Sequence, residues 1–437
     1  MPNDRRYETK PVDCWPRMKE LRRARFRHTW EAHEKGEVVI IGTVEWFLSL
    51  CSGLGNFANP SYGPYTTGMM RNPNEAIRCL EKVDSMGYRR DICAPMRCDL
   101  GQLFLGFVDK TPEGKPFKPD FVFQPNMCFI MAKTGQIYAQ HFGIPYFLLD
   151  VPHVDTEHNR DYLVSQMQEA IRWMEKVTGR VYDDEKMIAG LRNEWESMVL
   201  WAKICMLNRS IPAPLNFRQL WSLRLPLRTW RHKKETLEFY EILYDEVKER
   251  VRNQISAQGV ETVRLLQESL PPFYDHDLLK LADRYGAVYV GGEVPFTTNG
   301  AWRVKEDRTW EAPPTLDERG KPIRTREDAL LALAELYLAY TPVVAWPGYG
   351  NRVNDFVKRV EDWHADGVVF NLDPSCRVAS AGTEEAILAL KKAGVPVCTY
   401  ECEEADPRSF NGPQIKRKLE LFYTETLGLK EVHPESR

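Results

Sequence analysis

The sequence predicts an α/β protein built from two Rossmann-like parallel-sheet units, joined by a helical segment and preceded by a helical arm. Three observations predict it. Short all-apolar runs such as Val38-Val39-Ile40-Ile41 end in glycine, the pattern of strands buried on both faces of a parallel sheet. Residues 120–151 give strand, helix and strand at βαβ spacing, a unit that is normally right-handed and parallel. Residues 161–207 and Lys234–Gln258 carry helical apolar spacing, with prolines breaking it between them. The expected boundaries are 1–35 for the arm, 36–160 for the first α/β unit, 161–260 for the helical connector and 261–437 for the second unit.

Taken in order, residues 16–35 read as a charged helix in which Met18, Leu21 and Phe26 stand among arginines. The strand Val38–Gly42 follows, then a segment to Gly68 rich in Gly, Asn, Pro and Tyr, read mostly as loop. Asn74–Met86 reads as a helix. Pro95 and Asp99 suggest a turn leading into a helix at Leu100–Val108. Asp120–Gln124 and Tyr146–Val151 are strands around a helix at 128–142. Residues 161–207 and Lys234–Gln258 are amphipathic helices, with Pro212, Pro214 and Pro226 between them. The second unit begins near Glu261, with strands at Val288–Gly291, Val343–Trp346, Gly367–Leu372 and Pro396–Glu401. Helices fit Arg326–Tyr340, Thr383–Ala393 and Gln414–Leu427.

The chain is 43% hydrophobic and 28% charged, with a formal net charge of −3. That suits packed cores and argues against nucleic-acid binding, which favours a basic surface. Met1–Lys10 has no apolar run, so no signal peptide is expected. No stretch reaches about 18 uninterrupted apolar residues, so no transmembrane helix and no membrane contact are expected. The expectation is a cytoplasmic protein whose ten cysteines stay reduced. There is no G-x-x-x-x-G-K-[ST] loop, and Gly53-Leu-Gly55 is an isolated fragment, so neither ATP nor a dinucleotide is expected to bind.

Cys128 falls just beyond the carboxyl end of one expected strand, and Cys376 just beyond another. In open α/β sheets ligands bind there, and helix N-termini favour anionic groups. Cys93 and Cys98 form a C-x4-C pair, with Cys98 beside the expected helix start. No C-x2-C pair or ferredoxin spacing occurs, and spacing alone leaves ordinary buried thiols as the alternative. Cys51, Cys79, Cys205, Cys398 and Cys402 fit core packing.

From these segments the chain resembles the benzoyl-CoA reductase and 2-hydroxyacyl-CoA dehydratase superfamily, and within it the B-type reductase subunit. Cys98-Asp-Leu-Gly-Gln-Leu-Phe-Leu-Gly106 is similar to that family's first cysteine box, and Pro125-Asn-Met-Cys128 to its second. Asp366-Gly-Val-Val-Phe-Asn-Leu-Asp-Pro-Ser-Cys376-Arg377 resembles the third. Ile144–His153, and Gly394–Glu401 with Asp406 and Arg408, look like its neighbouring strands. The resemblance implies a [4Fe-4S] cluster held by Cys98, Cys128 and Cys376, with Cys93 as the substitute for Cys98. Three thiolates leave one iron open to substrate. It further implies a related second subunit in a heterodimer, ATP-hydrolysing iron–sulfur electron donors fed by ferredoxin, and an aromatic acyl-CoA substrate. The implied activity is one-electron reductive dearomatisation to a cyclic diene thioester. Radical dehydration of a 2-hydroxyacyl-CoA and an electron-relay or scaffold role are the alternatives. A structural zinc site is a weaker option still.

Other residues carry two readings each. His153 is a proton or hydrogen-bond donor to the thioester carbonyl, or a loop histidine. Glu45 faces the cleft, or is a solvated carboxylate. One of Glu401, Glu403, Glu404 and Asp406 acts as an acid or orients a partner, or all four are solvated. Arg218–Lys234, with Trp221 and Trp230 interleaved, binds CoA phosphates and adenine, or is a subunit contact or exposed helix. Phe57–Tyr65 lines an apolar acyl pocket, or is a packed loop.

Overall fold

The computed structural model describes residues 6–42, 46–60, 72–111, 113–341 and 352–432. Two four-stranded sheets, parallel throughout, form its α/β part. The first contains β1 (Val38–Ile41), β2 (Phe57–Ala58), β3 (Phe121–Pro125) and β4 (Tyr146–Leu149), in the order β2-β1-β3-β4. The second contains β5 (Val263–Glu268) and β6 (Ala287–Gly292). A short antiparallel ribbon, β7 (Arg303–Val304) with β8 (Trp310–Glu311), comes next along the chain. It precedes β9 (Gly367–Asn371) and β10 (Val397–Tyr400), which complete the second sheet in the order β10-β9-β5-β6. This is the two-sheet Rossmann-like architecture that the apolar runs predict. The strand expected at Val343–Trp346 lies outside the described residues, as do Glu45 and residues 61–65 of the aromatic loop.

The central strand β5 escapes the sequence reading. Its residues Arg264, Gln267 and Glu268 are buried, which breaks the apolar signature. The two charged groups meet partners from elsewhere. Arg264 donates to the carbonyls of Trp363 and Ser210, both at 3.0 Å, and Arg359 reaches Glu268 at 3.3 Å. Burial of charge is tolerated where such partners are supplied.

Each sheet has one place where the chain leaves in opposite directions. In the first, β2 lies on one side of β1 and β3 on the other. In the second, β6 and β9 flank β5 in the same way. The crevice beyond the carboxyl ends of such strand pairs is where ligands bind. Gly42 ends β1 at φ +128°, and a Cβ there would sit 2.0 Å from the Phe123 carbonyl oxygen. Only glycine lets β1 turn so close to β3.

The helical middle does more than connect. The run expected across 161–207 is two helices, Glu157–Thr178 and Asp184–Leu207. Gly179 at φ +66° ends the first, and the Asp183 side chain caps the second. The second helix touches both sheets' loops. Its Glu194 accepts from the Ser49 amide at 2.9 Å, and Trp201 Nε1 donates to the Pro295 carbonyl at 2.7 Å. One continuous core includes Ile40 and Phe123 of the first sheet, Trp195 and Trp201 of this helix, and Leu266 and Val368 of the second sheet. The charged arm is likewise docked as Trp15–Glu31, with Met18, Leu21 and Trp30 buried and its arginines facing mostly outward.

One helix boundary differs from expectation in a way that matters. The helix expected from Leu100 starts at Ala94 and ends at Phe104, with Cys93 as its N-cap. Pro95 belongs to the first helical turn rather than to a preceding turn, because a helix's first turn needs no proline N–H. Cys98 therefore lies inside the helix.

A candidate metal centre between the two sheets

A cavity of about 450 Å³ opens where the two crevices meet. Trp46 beyond β1 and Met127 and Cys128 beyond β3 line it from the first sheet. Leu270 and Phe273 beyond β5, Val294 beyond β6, and Ser375 and Cys376 beyond β9 line it from the second. Cys93 completes the set. Of the ten cysteines, seven are buried, and the three that keep partial exposure are Cys93, Cys128 and Cys376.

Each of the three is the N-cap residue of a helix: Ala94–Phe104, Phe129–Phe142 and Arg377–Ser380. The backbone N–H groups of Met96, of Ile130 and Met131, and of Ala379 bear on the respective sulfurs and favour the thiolate. These contacts fall short of formal capping hydrogen bonds, but amides at helix starts attract anions. Burial acts the other way and is the larger effect, raising all three thiols and taking Cys376 to about 12. The sulfurs also feel one another: Cys376 and Cys128 both raise Cys93, and Cys128 raises Cys376. Three sulfurs whose thiolate forms would repel one another, each facing amide dipoles, fit an iron–sulfur cation core, which would displace their protons and offset the negative charge. Among the described residues no three His, Cys, Asp or Glu side chains converge tightly enough to chelate one metal ion. A cube of four irons spreads its ligands more widely than a single ion does.

Cys98 does not line the cavity. It is fully buried among Ala76, Leu80, Ala94 and Ala405, and its Sγ lies 3.7 Å from the Ala405 carbonyl oxygen. His153 follows β4 but is not on the cavity wall either. Within Arg218–Lys234, Trp221, Arg224 and Arg228 do line it. Arg224 stacks on Trp221 at 4.3 Å and donates to Asn299 at 2.8 Å. Arg89, paired with Asp91 at 3.1 Å, and Arg377 add two more cations, and the Glu404 carboxyl also reaches the wall. The rest of the wall is apolar and aromatic.

Two residues without an assigned role in the sequence reading organise the site. Asp373 Oδ1 accepts from the amides of Ser375 at 2.8 Å and Cys376 at 3.1 Å and from the Ser375 hydroxyl at 3.0 Å. Its Oδ2 accepts from the Glu404 amide at 2.9 Å. Ser375 Oγ in turn accepts from the Ala94 amide at 3.3 Å, next to Cys93. Asp373 is pushed up to about 6, by burial against these donors. Asp-Pro-Ser-Cys is an Asx-turn signal, so the sequence did carry a clue.

Residues 65–424 match the family model described as 2-hydroxyglutaryl-CoA dehydratase, D-component. The chain belongs to that family. It is 24% identical over 440 residues to the (R)-phenyllactyl-CoA dehydratase alpha subunit of Clostridium sporogenes, covering 98% of each chain. To the B subunit of benzoyl-CoA reductase from Thauera aromatica it is 25% identical over 410 residues, covering 89% of each. To the (R)-2-hydroxyisocaproyl-CoA dehydratase alpha subunit of Clostridioides difficile it is 23% identical, over 83% of this chain and 82% of that one. The family is one of enzymes of acyl-CoA thioesters, and relatives named as alpha or B subunits imply that this chain also works with a partner subunit. No helix among the described residues is long and apolar enough to cross a membrane.

Proposed function

We propose that this chain is the cluster-bearing subunit of an oxidoreductase-type acyl-CoA enzyme, with Cys93, Cys128 and Cys376 holding a [4Fe-4S] cluster. The observation that carries this is the meeting of the three partly exposed cysteines, each a helix N-cap, on one cavity wall. When bound, the cluster supplies single low-potential electrons beside the acyl group. Around it, Trp46, Met127, Phe129, Met131 and Phe273 form a largely apolar wall that receives the acyl chain and keeps water out. Arg224, Arg228 and Arg377 supply the positive charge that CoA phosphates need. Asp373 and Ser375 orient the Cys376 loop against the Cys93 helix.

The aromatic lining supports reductive dearomatisation of an aromatic acyl-CoA to a cyclic diene thioester, with a related second subunit and an ATP-hydrolysing iron–sulfur donor fed by ferredoxin. Radical dehydration of a 2-hydroxyacyl-CoA is the second reading, favoured by the family description and by the phenyllactyl relative. The test is anaerobic incubation of the protein and its partner subunit with a low-potential reductant and either benzoyl-CoA or (R)-phenyllactyl-CoA. Cyclic diene-CoA consuming two electrons per product supports the first reading. Enoyl-CoA formed with catalytic amounts of electrons supports the second. No conversion of either thioester by an iron-loaded preparation removes both.

A further inference from the structure

Four carboxylates follow β10, and the fold gives them different surroundings. Glu401 is exposed. Glu403 and Asp406 face Arg97 at 3.7 and 3.6 Å, and Asp406 also holds Arg408 at 2.6 Å. Of the four, Glu404 is the one that lines the cysteine cavity. It is 1% exposed, and its Oε2 meets no hydrogen-bond donor. Two of the arginines on the same wall are engaged elsewhere, Arg224 with Asn299 and Arg89 with Asp91.

The backbone of Glu404 is clamped on both sides. Its amide donates to Asp373 Oδ2 at 2.9 Å, and its carbonyl accepts from the Phe273 amide at 2.7 Å. Asp373 also holds the Cys376 amide, so one carboxylate sets both a proposed cluster ligand and Glu404. Phe273 is itself part of the cavity wall.

We propose that Glu404 is the acid that hands a proton to the acyl group of the bound thioester, an inference that rests on the cluster-and-thioester reading above. Burial penalises the charged form of such a carboxyl, and an oxygen with no donor does nothing to offset that, so the surroundings favour the protonated acid. Held on a cavity wall that is largely apolar and aromatic, such an acid gives up its proton where substrate charge develops. In a dehydration, the bond between the α-carbon and its hydroxyl breaks, and the hydroxyl leaves as water with the Glu404 proton. The carboxylate regains a proton released from the β-carbon as the double bond forms, so no electrons are consumed. In a ring reduction, a low-potential iron–sulfur reductant supplies two electrons and two protons are added. Glu404 gives the first of these to ring carbon and is reprotonated from solvent.

The experiment has two arms. Infrared difference spectra of the metal-free chain at pH 7, in H2O and D2O, report protonated carboxyls. A deuterium-sensitive carboxylic-acid band that disappears in Glu404→Gln is the expected result. In the second arm, iron-loaded protein with its partner subunit is assayed as wild type, Glu404→Gln and Glu404→Asp. The Gln variant should keep iron content, EPR signal and benzoyl-CoA binding while turnover falls by about 100-fold or more, and Asp should restore part of it. The proposal is overturned if wild type lacks the band, if Gln turns over within about fivefold of wild type, or if Gln loses iron together with turnover. Should wild type itself take up no iron, the cluster reading fails while the infrared arm still decides the state of Glu404.

Discussion

Glu403 offers a sharp test of the charge network behind the site, because removing this charge should stabilise the protein. The side chain is nearly buried, and its Oε2 sits 3.7 Å from Arg97, too far for a hydrogen bond. Burial first, and the Asp406 charge second, push it from 4.5 up to about 7, against the pull of Arg97 and Arg408. The folded chain thus holds this proton more tightly than the unfolded one. Its contribution is fully present below about pH 4.5 and is lost as pH rises through about 7. The rise corresponds to roughly 3 kcal/mol once the group ionises, and about 1 kcal/mol of that is lost between pH 6 and pH 8. Glu403→Gln stays neutral in both states. It should gain about 2 kcal/mol at pH 6 and about 3 kcal/mol at pH 8 by the same linkage. Urea unfolding of the metal-free protein, followed by tryptophan fluorescence at the two pH values, measures this. A Gln variant less stable than wild type at pH 8 would show that Glu403 is a net stabilising ion-pair partner, and one that keeps the full wild-type loss between pH 6 and 8 would show that a different group titrates there.

Three further outcomes are expected. Gly101→Ala puts a Cβ 2.4 Å from the Cys79 carbonyl oxygen, forcing Ala94–Phe104 away from Pro73–Ser85. The expected loss is on the order of 3 kcal/mol in urea unfolding, with lower iron uptake because the displaced helix carries Cys93. Arg228→Gln and Arg377→Gln each remove a cation from the cavity wall. Each should weaken benzoyl-CoA binding about tenfold in a fluorescence titration, the worth of one charge-assisted hydrogen bond, and unchanged affinity would exclude them as phosphate contacts. Glu194 is fully buried and accepts from the Ser49 amide and the Tyr337 hydroxyl. Glu194→Ala should cost about 3 kcal/mol and shift Trp46 emission, since Phe47 also donates to Tyr337 at 2.8 Å.

Strands that are apolar along most of their length, such as β1 and the Val368–Phe370 stretch of β9, were legible because parallel-sheet burial leaves a continuous signature. β5 was not, because Arg264 and Glu268 meet their partners Trp363, Ser210 and Arg359 from far away in sequence, which no local pattern reports. The positions of Cys128 and Cys376 at strand ends could be read from spacing. The choice between Cys93 and Cys98 turned on where one helix begins. Pro95 suits a turn, which would place Cys98 at the helix start, but proline also opens helices, and here it does, with Cys93 as the cap. The acidic cluster after β10 looks uniform in sequence. Only the tertiary placement of Arg97 and Phe273 separates an ion-pair network from a cavity carboxyl.

The most direct test of the proposed cluster site compares Cys93→Ala with Cys98→Ala in protein purified without oxygen. Iron content and the EPR spectrum of the reduced sample are the readouts. The account predicts that Cys93→Ala loses the cluster signal, as Cys128→Ala and Cys376→Ala do. Cys98→Ala should keep it at a stability loss of about 1–2 kcal/mol for a buried thiol. Loss of the cluster in Cys98→Ala with retention in Cys93→Ala would contradict the account.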